Sequence, residues 1–323
     1  MLRSMYSGIA GMKNFQTKLD VIGNNIANVN TYGFKKGRTV FKDLVSQQIA
    51  GASAPTNNQG GTNPKQIGLG SQIAAIDTLH TQGSLQTTAR TLDLALSGDG
   101  FFIVGSGNKD ASTKVLSNLD MNYTRAGNFY LDKDGFIVNQ DGLYAVGLTS
   151  EATGTPAVDP EPTNVNLNMD ANGIIGGSGA ISGLQADFGA IQIPTDAKSF
   201  SIGGDGSVTY VDNSGVLRVA GFVGIAKFPN NGGLQKVGEN LFKNTPNSGD
   251  VERDGAAGLT YQDLNLPGIG GAGSLVAGAL EMSNVDLSEE FTEMIVAQRG
   301  FQANTRIITT SDEILQELVN LKR

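Results

Sequence analysis

The chain has no cysteine, no tryptophan and a single histidine in 323 residues. Each absence closes off a class of chemistry. Without cysteine there is no disulfide framework, no thiolate nucleophile and no thiolate-ligated zinc or iron–sulfur centre. With His80 alone, a multi-histidine metal site is excluded, and a Ser-His-Asp arrangement would have to use that residue. His80 lies in Ile76-Asp77-Thr78-Leu79-His80-Thr81, a context that reads as an ordinary strand edge and a structural histidine. Long apolar runs are also missing, so no segment reaches the length of a membrane-spanning helix. The amino terminus lacks the unbroken apolar stretch of a secretory signal, since Ser4, Ser7, Gly8, Gly11, Lys13 and Asn14 interrupt it. Taken alone, this implies a cytoplasmic chain or one exported on an uncleaved signal.

What is present is glycine, 44 residues of it against 9 prolines, with 39% hydrophobic residues. There is no Gly-X-Y period, and the apolar content is too high for a disordered chain, so the glycines point to turn-rich β-structure. The net charge of −8 argues against general nucleic-acid affinity, but it is unevenly spread. Residues 1–42 carry seven basic side chains (Arg3, Lys13, Lys18, Lys35, Lys36, Arg38, Lys42) against Asp20, a local charge of +6. Residues 281–323 carry −4.

Both ends have helical periodicity. Leu2, Met5, Ile9 and Met12, then Phe15, Leu19, Ile22, Ile26 and Val29, recur at three- and four-residue steps and predict a helix over 1–30, stopped at Asn30-Thr31-Tyr32-Gly33. Gly8, Gly11 and Gly23 each cost such a helix about 1 kcal/mol relative to alanine. At the other end, Asp286 is a good N-cap with Glu289 three residues on, which predicts a long helix over 285–323, with Lys322 and Arg323 at its end. Its expected apolar stripe is Leu287, Phe291, Met294, Phe301, Ile308, Leu315, Leu318 and Leu321, with Gln298 and Thr305 filling two core positions of the repeat. The two ends are complementary in stripe and charge and are expected to pair as an axial coiled-coil domain. Its core residues would be Ile9, Met12, Leu19, Ile22 and Ile26 on one side and Phe291, Met294, Phe301, Ile308, Leu315 and Leu318 on the other.

Between the ends the pattern changes. Residues 31–70 and 271–284 read as extended connectors, the first opening on a possible short helix from Asp43 to Ile49. Over 71–147 and 191–270, short runs such as Phe101 to Val104, Phe136 to Val138 and Val208 to Val211 alternate with Asp132-Lys133-Asp134-Gly135, Asn139-Gln140-Asp141-Gly142, Gly203-Gly204-Asp205-Gly206 and Asp212-Asn213-Ser214-Gly215. These are hairpin signals and predict an all-β, hairpin- or barrel-like domain of discontinuous segments, giving an α+β fold. Residues 148–190 read as an insertion or small lobe.

Chemical motifs fare poorly. Asp132-Lys133-Asp134-Gly135 departs from a calcium loop, with glycine at the fourth position and Leu143 at the twelfth. Gly268-Ile269-Gly270-Gly271-Ala272-Gly273 matches G-x-G-x-x-G but follows Leu266-Pro267 and not a strand. Lys35-Lys36-Gly37-Arg38 could meet phosphates, though a solvated face or an acidic partner surface fits better without aromatic interleaving. Asn122-Tyr123-Thr124 is a sequon inside an expected strand. No nucleophile elbow or P-loop occurs, so neither catalytic residues, cofactor nor metal is expected.

Two long motifs carry a resemblance. Asp20-Val21-Ile22-Gly23-Asn24-Asn25-Ile26-Ala27-Asn28-Val29-Asn30-Thr31-Tyr32-Gly33-Phe34-Lys35 resembles the signature of the bacterial flagellar rod and hook family of axial proteins. Gly278 to Leu287, continuing through Met294 to Asn304, resembles the family's other hallmark. Tyr123-Thr124-Arg125-Ala126-Gly127-Asn128-Phe129 and Gly232 to Phe242 resemble its middle. Asn24, Asn25, Asn28, Gly33 and Phe34 are the signature positions. Within the family, Ile22 to Ile26 and Ile307 to Leu321 look hook-like, which implies a structural subunit of the curved hook that transmits motor torque, with a distal rod subunit as the alternative. The length is below that of many hook proteins, leaving only 148–190 for an outer domain. The resemblance further implies no enzymatic activity, export by the flagellar type III apparatus without signal-peptide cleavage, and location in the hook or basal body. Implied partners are copies of itself, the rod, the hook cap and the hook–filament junction, with no nucleic acid and no membrane insertion. Polar seam positions Gln298 and Thr305 fit either sliding contacts or a static helix pair. An unrelated reading, an extracellular β-rich binding module, predicts no role for the terminal helices.

Overall fold

The computed structural model describes residues 2–55, 59–109, 116–150, 159–161, 166–167, 181–182, 184–249, 265–268 and 271–321. Most of the expected 148–190 lobe lies outside the described residues, as do Lys322 and Arg323. The chain divides into two compact units, one of Met1–Val29, Lys35–Leu79 and Val285–Arg323, the other of Asn30–Phe34 and His80–Asn284. It therefore passes between them at 29/30, 34/35, 79/80 and 284/285.

The first unit holds both long helices, α1 (Leu2–Ala27) and α2 (Leu287–Leu321). At 26 and 35 residues they span roughly 39 and 52 Å. Asn28 closes α1: its side-chain amide donates to the Asn24 carbonyl at 2.9 Å and its backbone N–H to the same oxygen at 3.2 Å. Asp286 opens α2 as expected, its carboxylate accepting from the N–H groups of Ser288 (2.8 Å) and Glu289 (3.4 Å).

The strands of this unit are β1 (Gly37–Asp43), β2 (Gln47–Ala50), β3 (Lys65–Ile67) and β4 (Ser71–Thr78). β1 pairs antiparallel with β4 from Gly37↔Thr78 to Asp43↔Ser71, and β2 with β3, with a Ser53↔Thr62 bridge beyond. The helix expected from Asp43 to Ile49 is therefore absent. Val40, Val45 and Ile49 are β-branched, and the segment meets a pairing partner from 65–78 that no local reading of 43–49 reveals. β1 and β2, from the segment 31–70 expected as a connector, form one side of a paired ribbon; β3, from the same segment, and β4, from 71–78 expected with the β-domain, form the other. The ribbon lies on α1: Asn14 Nδ2 donates to Ser71 Oγ at 2.9 Å, Phe15 meets Phe41 edge-on at 6.1 Å, and Gly70 backs onto Ser7 and Ala10.

The second unit is β-rich, and every strand pairing described is antiparallel. Its strands are β5 (Leu85–Thr87), β6 (Leu94–Ser97), β7 (Phe101–Lys109), β8 (Leu116–Thr124), β9 (Tyr130–Leu131), β10 (Ile137–Val138), β11 (Tyr144–Ser150), β12 (Asn166–Leu167), β13 (Ile181–Ser182) and β14 (Leu184–Ala190). They continue as β15 (Ser199–Ile202), β16 (Ser207–Val211), β17 (Leu217–Val223), β18 (Ile225–Ala226), β19 (Gln235–Gly238), β20 (Leu241–Lys243), β21 (Ser274–Ala277) and β22 (Ala279–Glu281). The main sheet runs β15-β16-β17-β11-β7-β8-β20-β19, while β21 pairs with β6 and β22 with β5. Residues 271–284, expected as connector, thus supply two paired strands. The ends of the 148–190 segment belong to the sheet through β11 and β14. Two apolar clusters fill this unit, one around Phe101, Tyr123, Phe228 and Phe242, the other around Leu94, Phe102, Phe129 and Ile225.

Four turns use one device. In each, the first residue accepts from the glycine N–H three positions on and donates to the carbonyl after that glycine, as in Gly135→Asp132 (2.9 Å) with Asp132→Phe136 (2.9 Å). Gly135, Gly142, Gly206 and Gly215 all have φ of +81 to +85°, a left-handed geometry that follows a type I turn and forms a glycine bulge. Asp132 Oδ1 accepts the Lys133 N–H within the turn, the hairpin role expected of this tetrad and not that of a calcium loop.

Candidate assembly interface

Helix α1 runs antiparallel to α2. Gly8 lies against Ile308 and Asn304, Phe15 against Gly300, Lys18 Nζ meets Glu293 at 3.0 Å, and Asn25 Nδ2 meets Glu290 at 3.1 Å. The face of α2 turned to α1 is Glu290, Met294, Ala297, Phe301, Asn304, Ile308, Ser311 and Leu315. Every seventh residue is bulky (294, 301, 308, 315) and the positions between are small or polar (297, 304, 311).

Four residues of the expected stripe lie on this face. Met294, Phe301, Ile308 and Leu315 are half-buried, and so are Met12, Leu19 and Ile26, with Ile22 buried. Gln298 and Thr305 are exposed instead of central, although Thr305 Oγ1 still reaches Met12 Sδ at 3.3 Å. Phe291, Leu318 and Ile9, placed in the core from spacing, are exposed. The contact line follows small residues: a Cβ on Gly300 would stand 2.6 Å from the Phe15 ring, and one on Gly11 would stand 2.8 Å from Asn304 Nδ2. Backbones approach closest where side chains are smallest, and a count of bulky residues misses that.

A polar knot fixes one end of the pair. The Asn25 amide donates to the Gly37 carbonyl (2.9 Å) and to Glu290, and its oxygen accepts the Gly37 N–H (2.9 Å), so one buried side chain joins α1, the start of β1 and α2. Lys36 Nζ lies 2.7 Å from Glu289 and 3.9 Å from Glu290, and Arg38 meets Asp77 at 3.3 Å. Lys36 and Arg38 of the basic cluster are thus engaged by acids of their own chain. Burial raises the Glu290 carboxyl above the ordinary glutamate range, opposed by the Asn25 hydrogen bond and the Lys36 charge. A raised acid pKa in the folded form means that proton uptake favours folding: this contribution is present at low pH and lost as pH rises through the folded value. Glu290→Gln is expected to stabilise the helix pair at neutral pH and to flatten its pH dependence between neutrality and about pH 5. Thermal unfolding followed by circular dichroism checks this, and an unchanged pH profile counts against it.

The signature residues Gly33 and Phe34 lie in the second unit. Gly33 has φ +71°, donates to the Glu281 carbonyl at 2.8 Å, and a Cβ there would come within 2.6 Å of the Ala126 nitrogen, so only glycine fits. Phe34 lies under Lys236, whose Nζ is 4.9 Å from the ring centre, and burial lowers the Lys236 pKa. Asn240 Nδ2 donates to the Tyr32 carbonyl at 3.0 Å, and Asn284 ties Thr81 (2.9 Å, Oγ1) to the Phe34 carbonyl (3.4 Å). Glu281 and Arg125 form a buried ion pair at 3.2 Å, with Arg125 Nη2 donating to the Gly98 carbonyl (2.8 Å) and Gly83 N–H to Glu281 (2.9 Å). Sequence reasoning missed this pair, which does not show in hydrophobic spacing, and it marked Asn25 as a signature position without giving its hydrogen-bonding task.

His80 packs its ring against Phe101 and Phe242 at 5.6 and 5.5 Å, a core contact and not a strand-edge position. Burial, then the Asp159 carboxylate 3.0 Å away, pushes the Tyr210 phenol up. Asn122 and Tyr123 lie in β8 as expected. Among the described residues no cluster of three or more His, Asp or Glu side chains could hold a metal, and no helix is long and apolar enough to cross a membrane.

Comparison with known proteins matches three family models: flagella basal body rod protein over residues 5–35, flagellar hook protein FlgE/F/G D1 domain over 95–210, and flagellar basal body rod FlgEFG protein C-terminal over 276–321. The flagellar basal-body rod protein FlgG of Bacillus subtilis is 54% identical over 323 residues, covering all of both chains. The flagellar hook proteins FlgE of Borreliella burgdorferi and Treponema pallidum are 33% and 30% identical over alignments of 465 and 486 positions, again covering all of each chain.

Proposed function

Since the chain belongs to the flagellar rod and hook protein family, whose members are structural subunits of the basal body and hook, we propose that it is a subunit of the distal rod. The observation that carries this reading is the 54% identity to a rod protein from end to end at equal length. The hook relatives align over more than 460 positions, so they contain long segments with no counterpart in these 323 residues. The hook reading drawn from the endings of the two motifs becomes the second choice.

As a rod subunit the chain packs against copies of itself, through terminal helices whose outer faces remain apolar, and against the neighbouring parts of the axial structure. The cysteine-free sequence and glycine-interrupted helices suit passage through an export channel in an unfolded state, without signal cleavage. The antiparallel helix pair is read as the axial coiled-coil element of the subunit. Electron microscopy of basal bodies from cells lacking the chain tests the assignment. A rod truncated before its distal part is expected; a complete rod bearing no hook would transfer the chain to the hook.

A further inference from the structure

We propose that the chain cuts its own backbone between Asp159 and Pro160, with the Asp159 carboxyl as nucleophile and the Arg218 guanidinium as donor to the developing oxyanion. The proposal stands apart from the assembly reading. This is the one Asp-Pro pair in the sequence. Proline contributes a tertiary amide with no N–H, and its nitrogen, a secondary amine once released, takes up a proton readily. The surroundings supply the rest. Ser150 Oγ donates to Asp159 Oδ1 at 2.7 Å and Tyr210 Oη to Oδ2 at 3.0 Å, so the carboxyl, in a residue only 4% exposed, is held in one orientation. Arg218 Nη1 donates to the Asp159 carbonyl oxygen at 2.7 Å, where negative charge collects when the carbonyl carbon is attacked. Arg218 is fixed in turn by Asp212, 3.3 Å from its Nε, and the Val219 N–H donates to the Pro160 carbonyl at 3.0 Å, so both sides of the bond are tied to β17.

In the reaction, one oxygen of the protonated Asp159 carboxyl adds to the carbon of its own peptide carbonyl. The C–N bond to Pro160 then breaks, the carboxyl proton passes to the proline nitrogen, and Asp159 is left as a five-membered cyclic anhydride. Water opens the anhydride, restoring the side-chain acid and creating a new terminal carboxyl. The sum is hydrolysis of one peptide bond by one water, with no change of oxidation state. The pieces 1–159 and 160–323 stay together, because β11 belongs to the first and its partners β14 and β17 to the second. The cut therefore shows only after denaturation.

The test compares purified full-length protein in mildly acidic buffer with a parallel sample held unfolded in urea, both followed by denaturing electrophoresis and mass spectrometry. The native sample is expected to yield the two pieces about 100-fold faster than the unfolded one. Hydroxylamine in the buffer is expected to trap the anhydride as a hydroxamate on Asp159. Asp159→Ala is expected to abolish the cut, and Arg218→Met to bring its rate down to that of the unfolded chain, each variant being checked for a native circular dichroism spectrum. A native rate at or below the unfolded one would overturn the proposal and leave these contacts as a latch that holds 159–161 on the sheet. Cleavage that persists in Asp159→Ala would overturn it as well, by assigning the cut to a protease.

Discussion

Glu281→Leu is expected to remove about 3–5 kcal/mol from the stability of the second unit. The Arg125 guanidinium is buried, its Nη1 lies 3.2 Å from the Glu281 carboxylate, and its Nε meets no acceptor among the described residues. Loss of the carboxylate leaves that charge with the Gly98 carbonyl and the face of Phe101, 5.3 Å away, as its remaining contacts. The Gly83 N–H loses its acceptor as well. For a unit of this size the loss corresponds to a fall in Tm of about 10 °C or more, read by thermal unfolding. The pair as a whole is worth far less than either half, because burying two charges nearly cancels their attraction, so Glu281→Leu with Arg125→Met is expected to recover most of the loss. A single-variant loss below about 1 kcal/mol would show that water reaches the site.

Deletion of residues 2–29 is expected to abolish polymerisation and motility while leaving the second unit folded. The deletion bares Met294, Ala297, Phe301, Ile308 and Leu315 on α2 and removes the support of the β1–β4 ribbon. It touches neither apolar cluster of the second unit, which is built from residues 92–275. Sedimentation and electron microscopy measure the first outcome, and an unchanged cooperative melt of the β-rich unit measures the second. Polymers formed by the shortened chain would favour the alternative of a β-rich binding module. In dilute wild-type monomer, amides of α1 and α2 are expected to exchange faster than those of the β-rich unit, since their packing depends on neighbours.

Much of this was legible in the sequence, and the reasons for success and failure are physical. Asp286 marks the start of α2 through local side-chain hydrogen bonds, as expected, whereas α1 ends at Ala27, short of the expected stop at Asn30 to Gly33, where Asn28 turns its amide back on the Asn24 carbonyl. The four glycine turns were legible because a left-handed residue at a fixed place demands glycine. The ribbon was not, because β1 and β4 are joined through some thirty residues rich in Gly, Ser, Asn and Gln, and strand pairing at that distance leaves no periodic trace. The seam of α2 came out rotated because Ala297, Gly300 and Asn304 set the contact by being small. The signature residues Asn25 and Gly33 were visible as a motif, yet their tasks, a three-way hydrogen-bond junction and a close backbone approach, emerged only from the partners 12 to 265 positions away.

The chain passes between its two units at four places, and that path has a mechanical meaning. A bead-on-a-string arrangement would join two such units by one covalent thread. Here four threads leave the β-rich unit, and Gly33, Thr81 and Asn284 lash them to one another inside it. A cut at one crossing therefore leaves three covalent connections between the units, as in a stranded cable.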